Sequence, residues 1–456
     1  MNELRFETIE EYISAPFNTF IYIDEDVLRF TGEAKVRLGL VEVLNSQPPP
    51  CGFDDLRVEW CLEDSVDFKL SKGVFTPPGS DNSFVMAKIV NQDCVESPIP
   101  ISQDVSELFP AGSLNFCNVR FYFEDCGVGT CSVLVDIKNN NGTTILELEQ
   151  ISEVINNIFK EYFEELCFNL TKSYRTAVEN ADVPRHQFTF LPDIDEIDRA
   201  QHFIPWTHRI YHIPDDSMFE LENPGEYFRT LLTPSRKMDV KDLSIYDNRW
   251  IYFGWGHSII FTHSGEDGYS QTSRPVYDYV RLVEIAQANW QFLDILKDIV
   301  TYAISSFNKH YQTMNMEELQ DAIDEIRSFS NGIDRILSYY RGVKITFDTE
   351  KRILLRELHE RWLTNSMLEN LLADLERIEI LLDQLHERQK EQREEALNTI
   401  ALLFTIVGII EIIALVIDIL SPIISLHPFI QLLLIASATV FMAIIIIFYL
   451  RISGRS

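Results

Sequence analysis

The stretch DILSPIISLHPFIQLLL, Asp418 to Leu434, joins two long apolar runs through a short connection at 421–428. The first run, ALNTIALLFTIVGIIEIIALVIDIL, covers Ala396 to Leu420, and the second, FIQLLLIASATVFMAIIIIFYL, covers Phe429 to Leu450. Each matches the ~20 residues that a helix needs to cross ~30 Å of hydrocarbon. Both are read as membrane spans. Lys390 and Arg393 precede the first, Arg451 and Arg455 follow the second, and the connection has no Lys or Arg. Basic residues gather on the cytosolic side of a membrane. The expectation is therefore a multi-pass protein of the cell (inner) membrane, with both termini cytoplasmic and a short tail at 451–456.

The remaining chain sets the wider frame. At 456 residues and 46 % hydrophobic composition it can bury a sizeable core. Its formal net charge of −31 opposes direct binding to a nucleic-acid backbone, which needs clustered Lys and Arg. Small cations, divalent ions included, fit that field. The start, MNELRFETIEEYIS, lacks a basic segment followed by an apolar one, so no secretory signal is expected. The seven cysteines are then read as free thiols. CGVGTC, Cys126 to Cys131, reads as a hairpin turn without the second ligand pair that zinc requires. PDIDEID, Pro192 to Asp198, reads as a solvated acidic loop, because the glycine and final glutamate of a calcium loop are missing. No metal site is assigned.

Glu411 and Asp418 lie inside the first span, two helical turns apart. They share a face with Ala401, Phe404, Gly408 and Leu415. Ionisable groups in hydrocarbon are costly and normally face a partner or a water-filled path. If several copies surround an axis, these six residues line a pore and the carboxylates form rings suited to cations. The alternative is that Glu411 is protonated or paired with a neighbouring helix while Asp418 reaches the headgroups. The second span has few polar residues and reads as lipid-facing.

No proline occurs between Pro275 and Pro422, which fits long helices. The pattern predicts helices over 276–311, 316–340 and 350–420, with a weak break at SFSNGID around Gly332 and a stronger one at YYRGVKITFDTEK, Tyr339 to Lys351. Leu368, Leu371, Leu375, Ile378, Leu382 and Leu385 alternate gaps of three and four, a heptad seam suited to a parallel self-associating stalk or to packing against the preceding helices. Leu355, Leu358 and Trp362 continue the seam upstream after a slip near Asn365. Residues 275–395 are thus a long-helix stalk.

Residues 1–274 read as an α/β cytosolic ligand-sensing domain. Short β-rich runs, FNTFIYI, AKVRLGLVEVL, LRVEWCL, SFVMAKIV, NVRFYF and SVLVDI, precede a helix from Thr144 to about Ala177. HQFTFL, HRIYHI and RWIYFGWGHSIIFTH follow as further strands. Two aromatic clusters supply ligand-contact candidates: Trp206 and Arg209 in the first, Arg249, Trp250, Tyr252 and Trp255 in the second. Arginine beside aromatic rings can hold a phosphate while a ring stacks on a base; filling the core is the competing role. No Walker A loop, Rossmann glycine pattern, nucleophile elbow or zincin motif is present, so no enzyme is expected.

The plan of an α/β cytosolic domain, long helices, a stalk entering the first span, a short outer loop and a C-terminal second span resembles the CorA family of magnesium transporters. ALNTIALLFTIVGIIEIIALV looks like that family's first span, and the resemblance implies a homopentamer with this span lining the pore. The family's outer loop begins Gly-Met-Asn. Here the matching stretch is ILSPIISLHP, with Ser421, Pro422 and His427 and no such motif. CorA-like proteins lacking it occur in type III CRISPR antiviral defence, where the implied activating ligand is a nucleotide second messenger built from S-adenosylmethionine and AMP. Three readings stand: a ligand-gated CorA-like channel or membrane effector, a divalent-cation (magnesium-type) transporter with an altered loop, and a membrane-tethered enzyme or scaffold.

Overall fold

The computed structural model describes residues 4–24, 27–28, 33–50, 56–62, 84–90, 94–99, 101, 109, 114–186, 203–233, 239–263, 275–310, 316–342 and 349–424, and beyond them 429–430, 432–433, 436–437, 439–441 and 444. The chain forms two compact units, Met1–Ser306 with Ser328–Arg377, and Phe307–Arg327 with Ile378–Ser456. The boundary expected at 274/275 falls inside the first unit.

That unit is built on one sheet of ten strands among the described residues. They are β1 (Phe6–Ile23), β2 (Val58–Leu62), β3 (Val85–Ile89), β4 (Cys94–Glu96), β5 (Asn115–Phe123), β6 (Cys126–Thr143), β7 (Arg185–His186), β8 (His208–Pro214), β9 (Arg249–Phe253) and β10 (His257–Thr262). The order is β2-β3-β5-β6-β1-β8-β10-β9, with β4 on β5 and β7 on β1. Every pairing is antiparallel except β8 with β10.

Successive side chains of a strand point to opposite faces, and helices cover both. On one face, Ile9, Ile13, Tyr211, Ile213, Ile259 and Phe261 share a core with Leu40 and Leu44 of helix α1 (Glu33–Ser46) and Leu148, Ile155, Phe159 and Phe163 of helix α2 (Ile145–Asn180). Thr144 starts α2 with a reciprocal cap: its main-chain N–H donates to Glu147 Oε2 at 2.8 Å, and the Glu147 N–H donates to Thr144 Oγ1 at 3.3 Å. Two short helices, α3 (Pro224–Tyr227) and α4 (Arg229–Leu232), connect β8 to β9. On the other face, Tyr12, Ile210, Ile251, Phe253 and Ile260 pack with Val276, Val280 and Val283 of α5 (Pro275–His310) and Leu354 and Leu358 of α7 (Thr349–Arg361). The expected α/β domain is thus a mostly antiparallel sheet between helical layers, and the first expected stalk helix and the start of the third pack on it as α5 and α7.

Four local expectations change. AKVRLGLVEVL is the helix α1, not a strand: Val36, Leu40 and Leu44, four apart, are buried while Leu38 is exposed, so the helical period prevails over the alternation. Helix α6 (Met316–Gly342) passes through Gly332 without interruption. The expected 350–420 helix is divided into α7 and α8 (Thr364–Ile424) at Trp362 and Leu363, where Leu363 takes a positive φ of 56°. This is the slip seen in the heptad pattern. Cys94 and Cys117 face each other across β4 and β5 and form a disulfide with sulfurs 2.00 Å apart. Strand register, invisible in their separation of 23 residues, brings them together. Cys126, Cys131 and Cys167 form no disulfide.

In the second unit, α6 and α8 meet. Gln389 Nε2 donates to Gln320 Oε1 at 2.7 Å, and Arg327 Nη2 lies 3.1 Å from His386 Nε2. Leu319, Ile323 and Ile326 on α6 are buried, as are Ile378, Leu381 and Leu385 on α8.

Candidate functional site

Helix α8 contains 61 residues, on the order of 90 Å at 1.5 Å per residue. Its environment changes along its length. Leu371, Leu375, Ile378 and Leu385 of the seam are buried, and Leu368 and Leu382 are half-buried. Much of the seam is therefore covered within the chain, in keeping with the packing against other helices that was expected beside self-association. From Leu397 onward the apolar side chains Ile400, Leu403, Phe404, Val407, Ile412 and Leu415 are exposed. Among the described residues this is the one helix long and apolar enough to cross a membrane, and only 6 % of its most apolar window is buried.

The expected pore-facing residues fall within this exposed part. Ala401, Phe404, Glu411 and Leu415 are exposed, and Phe404 reaches 74 %. A Cβ added at Gly408 would meet nothing within 4 Å. Asp418 lies on the same helix. Ser421 and Pro422, expected in the outer loop, are still helical, since α8 continues to Ile424. Pro422 removes the N–H that would bond to the main-chain oxygen of residue 418. His427 lies outside the described residues, as does the acidic stretch Asp193 to Asp198. The segment expected to be a second span is helical at its described positions, and Phe429, Leu432, Val440 and Phe441 there are exposed.

The six ligand-contact candidates do not converge. Trp206 packs edge-on against Trp290 and Trp362, with ring centroids 5.5 and 5.0 Å away. Arg249, on the same sheet face, lies 3.9 Å from the buried carboxylate of Glu350, donates to the Tyr279 hydroxyl and covers the Tyr246 ring at 4.4 Å. Arg209 points to the opposite face, where it donates to Ser152 Oγ and Glu153 Oε2, both at 3.2 Å. Trp250 and Tyr252 also occupy that face, and Tyr252 is buried. Trp255 is 57 % exposed in the turn between β9 and β10. Strand alternation is the reason: neighbours such as Arg249 and Trp250 cannot face one ligand. These residues as a set do not fit a single nucleotide site.

Three groups owe their partners to the tertiary structure. Glu350 opens α7 and accepts from the Tyr279 hydroxyl at 2.8 Å and the Ile245 N–H at 3.2 Å. Trp362 Nε1 donates to the Trp255 main-chain oxygen at 3.0 Å. Glu10, His212 and Thr262 are joined by hydrogen bonds across three strands. The repeated spacing of four in His208/His212 and Ser258/Thr262 was the available signal for the last group.

No family model matches this chain. No curated protein matches it either. Among solved structures it is similar to the structure of the full-length CmaX protein, at 11 % identity and a TM-score of 0.24, over 58 % of this chain and 92 % of that one. A superposition that loose does not fix a shared fold. Among the described residues, no group of three or more His, Cys, Asp or Glu side chains is placed to hold a metal ion.

Proposed function

We propose that this chain is a CorA-like membrane effector, an oligomeric channel whose opening is set by a ligand bound on its cytosolic side. The observation that carries the reading is the change along α8 from a seam buried up to Leu385 to apolar side chains exposed from Leu397. Exposed apolar surface costs roughly 25 cal/mol per Å² in water, so this length of helix calls for lipid and for other copies of itself. Glu411 is exposed within it, and a carboxylate in hydrocarbon needs a partner or a water-filled path. A ring of copies, five by the family resemblance, supplies both.

The second span, the outer loop and the cytoplasmic termini are part of this proposal, as is the activating ligand. A nucleotide second messenger joining S-adenosylmethionine to AMP, acting in antiviral CRISPR defence, is the ligand that the resemblance implies. In this mechanism ligand binding tilts α8 about the break at Leu363 and widens the constriction near Phe404 and Gly408. The transporter reading is weaker, because the loop lacks the magnesium-selecting motif.

The test is ion flux through the purified protein in liposomes, with magnesium and with potassium, before and after adding the S-adenosylmethionine–AMP conjugate. Flux that requires the nucleotide is the expected result, and Glu411→Gln should reduce it without preventing assembly. Magnesium flux without nucleotide would favour the transporter, and silence in every condition would favour a tethered domain.

A further inference from the structure

The sheet face covered by α5 and α7 carries a group of side chains that the channel does not use. Glu10 on β1, His212 on β8 and Thr262 on β10 stand on three adjacent strands. His212 Nδ1 lies 2.9 Å from Glu10 Oε2, and its Nε2 lies 2.8 Å from Thr262 Oγ1. An ionised carboxylate only accepts, so Nδ1 carries the proton between them. In the neutral ring Nε2 is then the acceptor, and the Thr262 hydroxyl donates to it. The Tyr12 hydroxyl donates to the same Glu10 oxygen at 3.3 Å and steadies it. Carboxylate, imidazole and hydroxyl thus follow one another in the order by which an oriented base activates a nucleophile.

The chain holds its own comparison four residues upstream on both strands. His208 Nε2 lies 2.7 Å from Ser258 Oγ. Both residues are fully buried, and burial holds the His208 imidazole down to about 3. That pair is sealed. His212 and Glu10 instead keep 11 % and 18 % of their side chains exposed, and Thr262 is half-buried. They sit toward the C-terminal ends of the parallel β8/β10 pair. Of the two, only the outer group includes a carboxylate and side chains that are not fully buried.

We propose that Glu10, His212 and Thr262 form a hydrolytic triad for small, uncharged carboxylic esters, an activity separate from the channel and from the expectation of a non-enzymatic chain. The net charge of −31 disfavours anionic substrates. Arg249, the cation opposite Thr262 in the β9/β10 register, already engages Tyr279 and Glu350. Thr262 Oγ1 attacks the ester carbonyl carbon while its proton passes to His212 Nε2, and Glu10 stabilises the imidazolium. The bond to the alcohol breaks, and the alcohol leaves with that proton. Water then gives a proton to His212 and attacks the acyl-threonine; the carboxylic acid departs, and Thr262 recovers its proton from His212.

The experiment uses the full-length protein in detergent, with p-nitrophenyl acetate as substrate and a fluorophosphonate probe whose attachment site is mapped by peptide mass spectrometry. The expected result is probe on Thr262, with kcat/KM falling about 100-fold or more in Thr262→Val and in His212→Gln, the scale of a lost general base. Thr262→Ser should keep both label and turnover, which separates loss of the hydroxyl from loss of the fold, and Ser258→Ala should match the wild type. Absence of label at Thr262 in the wild type, or unchanged hydrolysis in Thr262→Val, would overturn the proposal.

Discussion

Trp362 donates its indole Nε1–H to the main-chain oxygen of Trp255 at 3.0 Å, and its own main-chain oxygen accepts from the indole of Trp290 at 3.1 Å. One residue therefore ties the end of α7 to the β9/β10 turn and to α5, immediately before α8 begins. Trp362 is buried, so Trp362→Ala should cost about 3–5 kcal/mol. Trp362→Phe, which mainly loses the hydrogen bond, should cost about 1 kcal/mol. Thermal unfolding of the two variants, compared with wild type, measures both. Equal losses would show that the ring packing contributes little.

Leu363, the next residue, has a positive φ of 56° and an exposed side chain. An L-residue in that conformation is strained by roughly 1–2 kcal/mol, and glycine is not. Leu363→Gly should therefore raise stability slightly, by about 0.5–1 kcal/mol after the loss of unfolded-chain entropy is counted. A lowered melting temperature would mean that the side chain makes a contact worth more than the strain.

Arg37 on α1 forms an ion pair with Asp125, and the two side chains are only 1 % and 3 % exposed. Its Nε donates to Asp125 Oδ2 at 3.2 Å, and its guanidinium stacks 5.1 Å from the Phe84 ring centroid. Arg37→Met strands a buried carboxylate and should cost about 3–5 kcal/mol. Arg37→Met with Asp125→Asn should recover a large part of that loss in denaturant titrations. No recovery would assign the cost to packing against Phe84.

Glu11 is fully buried, and burial pushes its carboxyl up to about 7 despite the opposing hydrogen bond from Ser152 and the Arg209 charge. Between about 4.5 and about 7 the folded protein therefore holds a proton that the unfolded chain releases, and this residue's contribution falls as pH rises, by on the order of 3 kcal/mol. His208 and His257, held down to about 3, and His359, held down to about 4, slope the other way: burial makes them lose stability as pH falls below about 6.5. The Glu11 term is isolated by difference. Glu11→Gln should gain on wild type as pH goes from about 5 to about 8, read from unfolding midpoints. Parallel profiles would place the Glu11 titration outside this window.

Much of the helical order was legible because its signals are local. The apolar run from Ala396, the proline-free stretch after Pro275, the helix after Thr144 and the slip near Asn365 all depend on residues within a few turns of one another. The slip marks the break at Trp362 and Leu363, although the pattern did not say that the chain stops being helical there. AKVRLGLVEVL failed for a definite reason: Val36, Leu38 and Leu40 satisfy the strand period while Val36, Leu40 and Leu44 satisfy the helical one. Only the neighbouring surface chooses between them.

The candidate sites divide along the same line. The sequence by itself determined which residues are apolar over a membrane-spanning length and where the carboxylates Glu411 and Asp418 interrupt them, because hydropathy and helical period need no partner. Tertiary structure decided which polar groups meet. It set Arg209 and Arg249 on opposite faces of the sheet, joined Cys94 to Cys117, and brought Glu10, His212 and Thr262 into one hydrogen-bonded row from positions as much as 252 residues apart (262 − 10). Strand order and register fix such meetings. They follow from the packing of the whole sheet between its helices and leave no mark on the spacing of the residues along the chain.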